Sequence, residues 1–165
     1  MNLKLRLTVL SFLQFYVWGA WLITIGTYFF TNNMGTGKQF GDIFTTLAIS
    51  SIIMPALTGI IADRWINAER LYGVLHIMYA GFLFYVTQVH DADKLYYVIL
   101  GAMLCYMPTI SLSNSISYTI LKREGHDVVK VFPPIRVWGT IGFIAAMWTT
   151  NLSGSKANTN QFLIG

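Results

Sequence analysis

Long apolar runs alternate with short polar ones along the whole chain. Five apolar stretches, at about 7–30, 42–62, 71–89, 95–121 and 135–152, have the roughly 17 to 25 residues a spanning helix needs. The polar segments between and after them are short: "TNNMGTGKQFG", "DRWINAER", "HDADK", "KREGHDVVKVFPP" and "SGSKANTN". The final "NQFLIG" reads as the first residues of a returning sixth span. This pattern predicts an all-α integral membrane fold. It forms one helical bundle over residues 1–165, with five transmembrane helices and the start of a sixth. The opening "MNLKLR" followed by apolar sequence mimics a signal peptide. The apolar run is too long for a signal core of about 7 to 15 residues, and no A-x-A-like site ends it. It is read as a retained first span. We expect a truncated chain that stops short of a complete six-helix half.

Composition agrees with this picture. Of 165 residues, 55% are hydrophobic and 11% charged, against about 25% charged in soluble domains. The net charge is +4, but the basic residues are scattered singly, so nucleic acid is not an expected partner. The single cysteine, Cys105, excludes an internal disulfide and a cysteine-built zinc site. No cofactor or metal is expected. Lys4, Arg6, Arg64, Arg70, Lys122, Arg123, Lys130 and Arg136 fall on one side of the predicted topology, and Lys38, Lys94 and Lys156 on the other. This asymmetry puts the N-terminus in the cytoplasm.

The spans carry polar side chains. Gln14, Trp18, Trp21 and Tyr28 share one face of the first span, with Gly19 and Gly26 opposite. The face is either a packed core with interfacial aromatics or the wall of a polar-aromatic cavity. In the fourth span, "MPTISLSNSISY" contains Pro108, expected to kink the helix, and Asn114. Asn114 is a candidate for cavity lining or for interhelical hydrogen bonding. His76 stands alone in the third span, as a packed histidine or a proton relay. None of the seven acidic residues, Asp42, Asp63, Glu69, Asp91, Asp93, Glu124 and Asp127, lies deep within a span. A membrane enzyme would need clustered His, Asp or Glu, which these spans lack, so no enzymatic activity is expected. A non-catalytic membrane subunit or assembly factor is the alternative to a transporter.

In the fifth span, "VFPPIRVWGTIGF" sets Arg136 inside an apolar run. At 100° per residue, Arg136, Thr140 and Phe143 lie within an arc of about 60°. Gly139, Gly142 and Ala146 form a small-residue edge beside them. Two readings fit Arg136. It snorkels to headgroups, or it donates to a ligand beside the Thr140 hydroxyl and the Phe143 ring.

The "GIIADRWINAER" loop supplies Gly59, Asp63 and Arg64 as a candidate gating motif. Asp63 can pair there with arginine or with exposed helix N–H groups; the other reading is a plain positive-inside loop. G-x-x-x-D-R at this place resembles the signature loop of the major facilitator superfamily. The chain departs from it with Ile66, Asn67, Ala68 and Glu69 where that motif has glycine and basic residues. The opening "MNLKLRLTVLSFLQFYVWGAWL", "MPALTGIIADRW", "YMPTISLSNSISY" and "FPPIRVWGTIGFIAAMW" resemble the bacterial nucleoside:proton symporter family of that superfamily, in register over essentially all 165 residues. The resemblance implies a twelve-span transporter in the bacterial cytoplasmic membrane, with this chain as most of its N-terminal half. It implies nucleosides and protons as partners, besides membrane lipid and the missing C-terminal half. It also implies that Arg136, Thr140 and Phe143 line the nucleoside pocket, and that the proton-coupling carboxylate lies in the missing half.

The charge asymmetry yields a direct test. Single cysteines placed in the 31–41 and 153–160 loops should react with an impermeant thiol reagent added outside intact cells. Cysteines in the 63–70 and 122–134 loops should react only after permeabilisation. Labelling of the 122–134 loop from outside would overturn the orientation.

Overall fold

Apolar runs in lipid must satisfy their own backbone groups, and a helix does this within one segment. The computed structural model describes residues 2–165, and its regular structure is entirely helical. Seven α-helices follow in order: α1 (Leu3–Gly19), α2 (Ile25–Thr31), α3 (Gly37–Arg64), α4 (Ala68–Val86), α5 (Ala92–Arg123), α6 (Val128–Leu152) and α7 (Asn160–Ile164). A short 3-10 turn, Ser155–Ala157, precedes α7. By length and apolarity α3, α5 and α6 each suffice to cross a membrane. The other two predicted spans fall short of that measure for local reasons. The first is interrupted, and α4 opens on Glu69 and Arg70.

The interruption in the first span has a hydrogen-bond cause. At the break the Thr24 N–H bonds to the Trp21 carbonyl, 3.1 Å, and not to Ala20. The Ala20 carbonyl instead accepts the Thr150 hydroxyl from α6 at 2.7 Å and the Thr24 hydroxyl at 3.3 Å. The predicted helix over 7–30 is therefore two helices joined by a five-residue irregularity at 20–24. Side chains replace the lost backbone bonds there, as lipid requires.

The fifth span also differs from expectation. The spacing predicts a start at 135, after the two prolines, but α6 begins at Val128. Asp127 caps it by accepting from the Val129 and Lys130 N–H groups. Pro133 and Pro134 thus sit inside the helix. The carbonyls they leave without donors are those of Val129 and Lys130, in the exposed first turn, where the loss is least costly. Helices α3 and α5 also run through prolines, Pro55 and Pro108. Both are longer than predicted because Thr36 with Gln39, and Asp91, cap them further out.

Packing is organised on α5. Its apolar window is 61% buried, against 22% in α3 and 17% in α6. Helices α3 and α4 both lie along it, while α1 lies along α6. The α1–α6 approach is backbone to backbone. A Cβ on Gly19 would meet the Phe143 carbonyl oxygen at 2.6 Å, and one on Gly142 would strike the Phe12 carbonyl. The small-residue edge of α6 is therefore its contact with α1. Gly26, expected on the same close-packing face as Gly19, meets only the Phe40 ring. The short α7 folds back onto the break in the first span. Phe162 packs edge-on against Tyr28, and the Thr24 hydroxyl donates to the Gln161 side-chain amide oxygen Oε1 at 2.8 Å.

Substitution at these glycines should separate contact from propensity. Gly142→Ala should lower thermal stability in detergent by about 1–3 kcal/mol, because main chain cannot yield to the new Cβ. Gly73→Ala meets nothing within 4 Å and should be neutral or gain up to about 1 kcal/mol from helix propensity.

Candidate functional site

The face of α6 predicted to hold Arg136, Thr140 and Phe143 is set against α1. Arg136 is half-buried. Its guanidinium carbon sits 4.0 Å from the centre of the Phe15 ring. The room for it comes from Gly139, where a Cβ would lie 2.8 Å from the guanidinium Nη1 and 2.6 Å from the Phe15 ring. The only ion pairs among the described residues are Arg123–Glu124 and Lys130–Asp127. Arg136 therefore has no carboxylate partner there. Phe143 is half-buried and meets Trp18 edge to face, with ring centres 5.9 Å apart. Thr140, between them on the helix, is exposed.

Trp18 links this face to the centre of the bundle. Its ring lies 5.5 Å from Tyr106 and 6.5 Å from Phe15. Its indole N–H is buried and finds no acceptor among the described residues. The structure thus brings Arg136, Phe143 and Trp18 together, and adds Phe15. Sequence reasoning missed Phe15. Its only signal is one helical turn from Trp18, and nothing in the chain reveals which residue 121 positions away it meets.

Gln14 and Trp21 sit elsewhere. Gln14 is 1% exposed. Its amide donates to the Thr109 hydroxyl at 2.8 Å and accepts from the Tyr72 hydroxyl at 2.7 Å. The Tyr106 hydroxyl donates to its backbone carbonyl. Trp21, 1% exposed, donates from its indole to the Tyr79 hydroxyl at 2.7 Å. Gln14 ties α1 to α4 and α5, and Trp21 ties the break after α1 to α4; neither faces open space within the described residues. Tyr28 is likewise buried against Phe162. Of the two readings of the α1 face, the packed core describes these three and Trp18 stands at its margin. Asn114 is half-buried, with no side-chain hydrogen bond among the described residues. His76 Nδ1 lies 3.0 Å from the Tyr72 carbonyl one turn earlier. A carbonyl only accepts, so that nitrogen carries the proton and the ring is tied to its own helix.

The loop motif is open. Asp63 and Arg64 end α3 and are exposed. Asp63 pairs with neither an arginine nor a helix N–H among the described residues. A Cβ on Gly59 would meet nothing within 4 Å, so no helix approaches closely there. Gly59 and Asp63 border a groove of about 250 Å³ that Ser111 and Ser115 of α5 close from the other side. A cavity of about 500 Å³, lined by Gln39, Asp42, Asp93, Tyr96 and Tyr97, lies at the N-terminal ends of α3 and α5. That is the opposite end of the bundle from Arg136. Arg136, Thr140 and Phe143 line neither of these cavities.

The family described as nucleoside H+ symporter matches residues 1–165. The chain is 47% identical over 165 residues to the nucleoside permease NupG of Escherichia coli (strain K12), covering all of this chain and 40% of the relative. It is 46% identical over 164 residues to the xanthosine permease of the same organism, covering 99% of this chain and 39% of that one. The crystal structure of nucleoside transporter NupG superposes with a TM-score of 0.95 over 99% of this chain and 40% of that one. The chain thus spans about 40% of the length of the relatives it matches. Its helices have the arrangement of the corresponding part of that multi-pass transporter, and the chain belongs to the nucleoside H+ symporter family.

Proposed function

We propose that this chain is the N-terminal part of a transporter that carries nucleosides across the bacterial cytoplasmic membrane by proton symport. Its N-terminus lies in the cytoplasm. The α6 face supplies one wall of the nucleoside site, near the middle of the assembly, and the remainder of the protein supplies the other. Rocking of the two parts alternates access to it.

The observation that carries this reading is the state of Arg136. A half-buried guanidinium with no carboxylate partner among the described residues keeps its N–H donors unspent. Nucleosides are neutral and rich in acceptors, with base carbonyls, ring nitrogens and sugar hydroxyls. A planar fork of donors matches them without requiring a charge on the ligand. Phe143 offers a ring for the base, and the exposed Thr140 hydroxyl can donate or accept. Trp18, behind Phe143, supports that ring from α1. Gln14 and Trp21 act on the site through the helix positions they hold, and Asn114 remains available on α5 to an incoming part of the protein.

Proton coupling needs a titratable group within the membrane. The acidic residues of this chain lie at helix ends and in loops, and His76 is bonded to its own helix. The coupling carboxylate is therefore assigned to the rest of the transporter. Gly59, Asp63 and Arg64 are assigned to the cytoplasmic gate, where Asp63 would find its partner across the groove in another conformation.

Arg136→Lys in the full-length transporter tests the site. Lysine keeps the charge and can still reach headgroups, but loses the planar fork. Loss of a charge-assisted hydrogen bond should weaken nucleoside affinity by about 10- to 150-fold, with membrane insertion unchanged. Near-normal affinity in a titration with uridine would return Arg136 to the role of a lipid anchor.

A further inference from the structure

A free arginine side chain has four rotatable bonds, and its donors point usefully only if something holds the guanidinium plane. In this chain the holder is on α1. We propose that Phe15, with the gap left by Gly139, is the positioning element for the Arg136 guanidinium, fixing the direction of its donor fork for the nucleoside. This inference rests on the reading of Arg136 as a nucleoside donor.

Three observations carry it. The guanidinium carbon lies over the Phe15 ring at 4.0 Å from its centre, an attraction between cation and ring face that uses no hydrogen-bond acceptor. Such a contact leaves the N–H edges free, whereas a carboxylate partner would occupy them. Next, Gly139 sits one turn above Arg136 on the same face, and a Cβ there would fall 2.8 Å from Nη1 and 2.6 Å from the Phe15 ring. The guanidinium and the ring fill a slot that exists only because position 139 has no side chain. Finally, the height of Phe15 is fixed by main chain. Gly142 abuts the Phe12 carbonyl and Gly19 abuts the Phe143 carbonyl, so the closest approaches of the two helices bracket Phe15 along α1. The Ser11 hydroxyl reaches the Arg136 carbonyl at 3.5 Å on the same side.

A ring that merely fills space would be replaceable by leucine. A ring that orients a cation would not. The test is uridine affinity, measured by calorimetric titration of the purified full-length transporter. Phe15→Leu should raise Kd by about three- to thirtyfold, and Phe15→Tyr, which keeps the aromatic face, should restore it to within about twofold. In an Arg136→Gln background the Phe15→Leu effect should vanish, because no cation remains to be oriented. An unchanged Kd in Phe15→Leu, or the same loss in both backgrounds, would overturn the positioning role and leave the Arg136 reading intact. An unchanged Kd in Arg136→Gln alone would overturn the nucleoside reading itself, and this inference with it. Should Phe15→Leu fail to fold, Gly139→Ala carries the same question. Its Cβ meets only side-chain atoms and should displace the guanidinium, so an unchanged Kd there would equally sink the proposal.

Discussion

The contact of α1 with α6, main chain against main chain, is the constraint on which the rest of the structure depends. In lipid there is no hydrophobic force between helices, and association rests on close packing and interhelical hydrogen bonds. Gly19 and Gly142 permit both helices to approach until Cβ atoms would collide with carbonyl oxygens. That approach brings the Thr150 hydroxyl within 2.7 Å of the Ala20 carbonyl. The bond stabilises the break at 20–24, which redirects α2 and lets α7 return over it. The same approach sets Phe15 and Trp18 opposite Arg136 and Phe143. One glycine pair therefore fixes the course of the first span and the geometry of the candidate site.

A second layer of order comes from polar side chains spent inside the bundle. Gln14 joins α1 to α4 and α5 through Tyr72, Thr109 and Tyr106, and Trp21 joins the break after α1 to α4 through Tyr79. In an apolar medium a buried donor or acceptor left alone is costly, so each of these groups holds its partner in place. The ties lie on the inner side of α1 and of the break that follows it. They fix its rotation about its own axis, and with it the direction in which Trp18 and Phe15 point. Trp18 differs from the others, because its N–H is buried without an acceptor among the described residues. Its ring is held by shape alone, between Phe143, Tyr106 and Phe15.

Much of the architecture was legible in the sequence because spans announce themselves by length and apolarity, and loops by charge. The α6 face was legible too, since the 3.6 period places Arg136, Thr140 and Phe143 in one arc. What escaped was set by relations between distant segments. The break after Gly19 depends on Thr150, 130 residues away, and an apolar run gives no sign of it. The start of α6 at Val128 escaped because prolines read as terminators, although the first turns of a helix tolerate them when the orphaned carbonyls are exposed. Gln14 and Trp21 were legible as a face but not as ties. Choosing between wall and core requires knowing that Tyr72, Tyr79 and Thr109 stand opposite. Phe15 had no distinguishing mark at all.

An arginine in a membrane span must be reconciled with the cost of its charge. Pairing with a carboxylate would lower that cost, but it would consume the donors a neutral ligand needs. Full exposure to headgroups would also lower it, but it would draw the donors away from the bundle. The arrangement around Arg136 is intermediate. Half burial keeps part of the hydration, and an aromatic face offsets some of what is lost. The N–H edges stay uncommitted. A residue so placed is stabilised just enough to be held and not enough to be satisfied. A neutral, acceptor-rich molecule entering beside Phe143 can then gain hydrogen bonds that no group of this chain has already taken.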